Sequence, residues 1–151
     1  MASRPIRIPG RSSDDVHGIV YFKRHPIDDP SEATPGYAAL ESWPEPVQNF
    51  IKRTIEAVAQ APPKSFRGSG QWKVMKDEMS GFCEARDKQK KYLYRLFCII
   101  DTEILNSTRP VIAIIDGRVK EIETVIALRE YRKIIALGDE YRSRNPRSIM
   151  N

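Results

Sequence analysis

The chain has 151 residues, 40% of them apolar, with 25 Lys or Arg against 20 Asp or Glu and a net charge of +5. That length fits one hydrophobic core, and the composition excludes an intrinsically disordered chain. No apolar run approaches the roughly 18 residues of a membrane span, the basic start has no apolar signal core, and two cysteines do not make a disulfide scaffold. These bounds predict a cytoplasmic single-domain protein with no membrane partner.

Residues 1–16, with Pro5, Pro9, Gly10 and Ser12-Ser13, read as a flexible basic arm ahead of a domain over 17–141. Gly18-Ile19-Val20-Tyr21-Phe22-Lys23 is a first strand, and 28–36 reads as loop. From Pro46 the apolar residues Val47, Phe50, Ile51, Ile55, Val58 and Ala59 form one helical face, which Pro62-Pro63 ends. Phe66 to Gly70 is a basic link, and 71–79 is a candidate second, short helix. Two strands then flank Lys88-Gln89-Lys90-Lys91, the pattern of a hairpin. Residues 106–110 form a turn, and 111–115 is the most apolar strand. Residues 124–141 are helical, with Leu128, Tyr131, Ile134, Ile135 and Leu137 as a stripe and Gly138 interrupting or capping it. The basic tail 142–151 is expected to be mobile. The predicted fold is α+β, a small mostly antiparallel sheet packed on helices, in the order β-α-(α)-β-β-β-α.

Charge is unevenly placed. Between Lys64 and Arg95 nine cations stand against four acids, whereas 14–56 is acidic. A basic face opposite an acidic one is a nucleic-acid binder's footprint, and a solvated lysine-rich surface is the plain alternative. If the hairpin closes over Lys90-Lys91, Arg86 faces Arg95 and Glu84 faces Phe97. Two arginines side by side repel unless an anion lies between them. A bound phosphate would serve, as would Glu84, Asp87 or the last helix. Arg118 and Lys120 alternate with Val119, on the side of Asp116, Ile112 and Ile114 in a regular strand. Lys120 is either an ordinary surface lysine or part of the arginine patch, where crowding by cations would suit it to act as a base. Cys83 and Cys98 are expected to be reduced sheet residues, and His17, His25 and Asp28-Asp29 to be incidental.

Three segments stand in a telling order: Phe82-Cys83-Glu84-Ala85-Arg86, Tyr94-Arg95-Leu96-Phe97, and Gly117-Arg118-Val119-Lys120. This order resembles the RelE superfamily of bacterial toxins, in its HigB-like, phage-associated branch, over about residues 17–140. The resemblance implies a metal-independent, ribosome-dependent endoribonuclease that needs no cofactor and is neutralised by a helix-turn-helix, HigA-like antitoxin. Such toxins cut mRNA by attack of a ribose 2′-hydroxyl on the adjacent phosphate. It further implies that Arg86 and Arg95 clamp that phosphate, with Lys120 as base or second electrostatic group. Lys88, Lys90, Lys91 and Arg118 would hold RNA backbone. The chain departs from the pattern at Glu121, where a second lysine is usual, at 122–125, and in lacking any histidine beyond His25. Tyr131 or Tyr141 would then have to supply the acid. The rival expectation is a non-catalytic module of the same fold, inhibiting a host protein such as gyrase or serving as an inert phage protein.

Overall fold

Short β-branched runs and one strongly amphipathic segment dictate most of the elements. The computed structural model describes residues 16–61, 71–105 and 107–151. The arm 1–15, the link 66–70 and Asn106 of the expected turn lie outside these residues. In chain order the elements are β1 (Gly18–Tyr21), α1 (Pro35–Ser42), α2 (Glu45–Gln60), β2 (Trp72–Val74), β3 (Cys83–Gln89), β4 (Tyr92–Asp101), β5 (Val111–Glu121) and α3 (Leu128–Arg142). Among the described residues the five strands form one sheet in the order β1-β5-β4-β3-β2, with β1 parallel to β5 and the other neighbours antiparallel. This is an α+β domain. One face carries Ile19, Leu96, Cys98, Ile112 and Ile114 against α1 and α2. The other carries Phe97, Ile99, Val111, Ala113 and Ile115 against Ile134 and Tyr141 of α3.

Helix α2 buries the expected stripe of Val47, Ile51, Ile55, Val58 and Ala59, and starts one residue before Pro46. Helix α1 was not expected, because Tyr37, Ala38, Ala39 and Leu40 run together without helical spacing. Proline at its first turn and close contact with β5 stabilise it. A Cβ on Gly36 would sit 2.7 Å from Ile114 Cγ2, and one on Gly117 would sit 2.8 Å from Ala39 Cβ. Only glycine lets the helix lie this near the strand.

Two expectations change beyond α2. The short helix at 71–79 does not form: Trp72–Val74 pairs with β3, and only Asp77–Met79 makes a single 3-10 turn. Burial of Trp72 against the α2 side and pairing to an open sheet edge outweigh local helix preference. Helix α3 starts at Leu128, four residues later than expected, and Leu128 is 45% exposed. Gly138 neither interrupts nor caps α3. It lies inside the helix, where a Cβ would meet Phe82 Cζ at 2.6 Å.

The basic tail is docked instead of mobile. Ser148 C=O accepts from Lys23 N–H, Met150 N–H donates to Tyr21 C=O, and Ile149 bridges Phe22. Arg147, 6% exposed, donates through Nε to Asp101 Oδ2 at 2.9 Å, and the Tyr141 hydroxyl donates to the same oxygen at 2.7 Å.

Candidate functional site

Strands β3 and β4 close over Lys90-Lys91 in the expected register, Arg86 opposite Arg95 and Glu84 opposite Phe97. Lys90 takes φ 55°, the left-handed conformation that so short a turn demands. On the other side of β4, Arg95 faces Arg118 and Phe97 faces Asp116. Opposite residues share a face, so Arg86, Arg95 and Arg118 form one row across three strands.

That row depends on a bulge in β5. Phe97 pairs with Asp116 but Cys98 pairs with Ile114, leaving Ile115 without a partner. The extra residue reverses the alternation of side chains beyond it. Asp116, Arg118 and Lys120 therefore do not share the side of Ile112 and Ile114, as a regular strand would require. They stand on the α3 side with Phe97, and Gly117 turns toward Trp43 and α1.

Between the first two arginines lies an anion of the chain's own. Glu84 is 1% exposed; its Oε2 accepts from Arg95 Nε, and its Oε1 is 3.6 Å from Arg86 Nη1. Arg95 also donates to the Tyr131 hydroxyl at 2.8 Å, and its guanidinium carbon lies 5.1 Å from the Phe97 ring and 5.6 Å from the Tyr131 ring. Burial alone would lower the Arg95 pKa. The hydrogen bond and charge of Glu84, with Tyr131, outweigh burial and raise it above the ordinary value. Asp87 is not part of this set, since it stands opposite Tyr94 on the other face and accepts from the Gln89 amide.

Arg118 is held similarly. Its Nη1 donates to Asp116 Oδ2 at 2.7 Å and to the Gly117 carbonyl at 2.8 Å. Its Nε is 3.5 Å from Glu130 Oε1 on α3, and Lys133 Nζ is 3.0 Å from Glu130 Oε2. The Lys133 hydrogen bond, and the charges of Lys133 and Arg118, hold the Glu130 carboxyl below its ordinary pKa against slight desolvation.

The residues singled out from sequence are thus partly united. Arg86, Arg95 and Arg118 share one row. Lys88 and Lys120 flank Leu93 in the next row on the same face. Lys90 and Lys91 lie in the turn, with Lys91 Nζ 5.5 Å from the Tyr92 ring centroid. Lys120 Nζ donates to the carbonyls of Thr124 at 2.7 Å and Ile122 at 3.3 Å, so it braces the loop before α3. Arg86 differs from its neighbours: its side chain is 29% exposed, and its buried Nε has no hydrogen-bond partner among the described residues. Sequence reasoning missed the roles of Asp116 and Glu130. A signal was present for Asp116, because acid-x-Arg occurs twice, at Glu84/Arg86 and Asp116/Arg118, a spacing that puts both charges on one strand face.

Elsewhere the candidate groups are structural. Tyr141 is fully buried on Asp101, so of the two tyrosines only Tyr131 reaches the arginine row. His25 Nδ1 accepts from Ile27 N–H, and Asp29 accepts from the backbone of Ser31 and Ala33. Among the described residues no cluster of three or more His, Cys, Asp or Glu could hold a metal ion, and no helix is long and apolar enough to cross a membrane. A cleft of about 450 Å³ beside the tail, lined by His25, Ser143, Arg144 and Ser148, lies beyond the far end of β4 from the arginines. Compared with known proteins, the chain matches no family model, no curated protein and no solved structure.

Proposed function

We propose that the chain is the toxin of a type II toxin–antitoxin pair, a RelE-like endoribonuclease that cuts mRNA on the ribosome without a metal cofactor. The supporting observation is the row Arg86–Arg95–Arg118, in which Arg86 keeps an unpaired donor. In the reaction the 2′-oxygen bonds to phosphorus as the bond to the 5′-oxygen breaks, leaving a 2′,3′-cyclic phosphate and a 5′-hydroxyl. Charge grows on the non-bridging oxygens, where Arg86 donates. The Tyr131 oxygen accepts from Arg95, which leaves its proton for the departing 5′-oxygen. Arg118, Lys88 and the turn residues Lys90 and Lys91 attract flanking phosphates. In this reading Arg95 is an anchor for Tyr131 and Arg86, not itself the clamp. Lys120 braces a loop and adds positive potential in place of acting as the base. The partner would be a helix-turn-helix antitoxin, and the compartment the cytoplasm.

One observation favours the non-catalytic alternative: Glu84 already neutralises the charge between Arg86 and Arg95. Mapping of mRNA 5′ ends in a cell-free translation reaction separates the two. Wild-type protein with ribosomes should produce new ends, and Arg86→Ala should not. Arrested translation without new ends would instead identify a binding module, and unimpeded translation would remove both readings.

A further inference from the structure

Glu130 carries a carboxylate where the arginine row would otherwise meet solvent. It stands in the first turn of α3, bracketed by Arg118 Nε at 3.5 Å and Lys133 Nζ at 3.0 Å. The other Arg118 donor that is engaged, Nη1, is held in place by Asp116 and the Gly117 carbonyl. Glu130 itself has a side chain 31% exposed, against 8% for Asp116 and 2% for Glu84. Of the three acids on the row, it is the one solvent can reach and a ligand can displace.

We infer that the Arg118–Lys133 pair is a second phosphate subsite and that Glu130 is its built-in competitor. This rests on the reading that the face binds RNA. A phosphodiester oxygen replaces the Glu130 carboxylate on Arg118 and Lys133, while a neighbouring phosphate takes the free donor of Arg86. Carboxylate and phosphate make the same charge-assisted hydrogen bonds to guanidinium and ammonium groups, so the exchange conserves partners for both cations. Glu130 then raises the concentration of RNA needed for binding by the fraction of time it holds the subsite. It also discriminates against short or singly charged anions, which can fill the Arg86 position without opening the second.

The test is direct binding of a fluorescent single-stranded 2′-O-methyl RNA, which cannot undergo 2′-hydroxyl attack, across a salt series. Glu130→Gln should tighten binding about fivefold if the carboxylate holds the subsite some four-fifths of the time. One added phosphate contact should steepen the log–log salt slope by about 0.7. Combining it with Arg118→Gln should cancel both gains. Glu103→Gln, a control with the same charge change on an exposed residue past the end of β4, should shift affinity less than twofold and leave the slope alone. An equal gain from Glu103→Gln, or an unchanged slope in Glu130→Gln, would overturn the subsite. So would absence of RNA binding by both wild type and Glu130→Gln. Cleavage by the wild type in the end-mapping reaction would still uphold the function in each case.

Discussion

Glu84 on β3 and Arg95 on β4 meet as a buried ion pair although neither faces the other in register. Glu84 stands opposite Phe97 and Arg95 opposite Arg86, so the contact runs diagonally across the hairpin. The diagonal lets one carboxylate serve two arginines, and the second, Arg86, is left with spare donors. It also makes Arg95 part of the core, 8% exposed between the Phe97 and Tyr131 rings.

Arg95→Ala should therefore destabilise the fold before it says anything of activity. It strands Glu84 without its main partner, a loss of about 3–5 kcal/mol for a broken buried pair. Urea unfolding followed by tryptophan fluorescence measures this. A change below about 1 kcal/mol, the range of exposed pairs, would mean that water reaches Glu84 and that the pair is not structural.

Arg86→Ala is the cleaner functional probe. Its side chain is partly exposed, and Glu84 keeps Arg95 after the truncation. Loss of a charge-assisted hydrogen bond of about 1.5–3 kcal/mol should weaken RNA binding some ten- to a hundredfold. The melting temperature should stay near that of wild type. Unaltered RNA binding in a folded Arg86→Ala protein would remove this residue from the site.

The tail clamp predicts an acid-sensitive stability. Burial tends to raise the Asp101 pKa, but hydrogen bonds from Arg147, Tyr141 and the Glu103 N–H prevail, and the net shift is downward. A carboxyl whose folded pKa is depressed stabilises the native state above its unfolded pKa, about 3.9, and loses that contribution as pH falls through the folded value. Asp101→Asn should cost stability at neutral pH and flatten the decline below about pH 4. Guanidinium unfolding of both proteins over that range checks it; parallel curves would show that Asp101 is not linked to folding.

Cys83 and Cys98 face one another across β3 and β4, and both are free and buried. Burial pushes the Cys83 thiol up to about 11. Burial raises Cys98 well above its ordinary value, with Cys83 and Glu84 adding to the shift. Since the thiolate is the reactive form, a disulfide-exchange reagent at about pH 8 should label neither cysteine quickly in the native protein and both in denaturant. Fast native labelling would place at least one thiol outside the core.

Much of this arrangement was legible in the chain because it is local. The spacing of Val47, Ile51, Ile55 and Val58 determines a helix with one buried face. A two-residue turn at Lys90-Lys91 sets the register that brings Arg86 opposite Arg95. Both are consequences of period and turn length within a short window. The α+β class follows from the same local patterns. Tertiary structure decided what no window contains. Helix α1 exists because Gly36 and Gly117 let it lie against β5. Strand β2 and the docked tail exist because sheet edges offered unpaired backbone groups and Asp101 offered a counter-charge. The bulge at Ile115 moved Asp116, Arg118 and Lys120 to the face of α3. One unpaired residue, fixed by how three strands and a helix pack, decided whether the three arginines form a row.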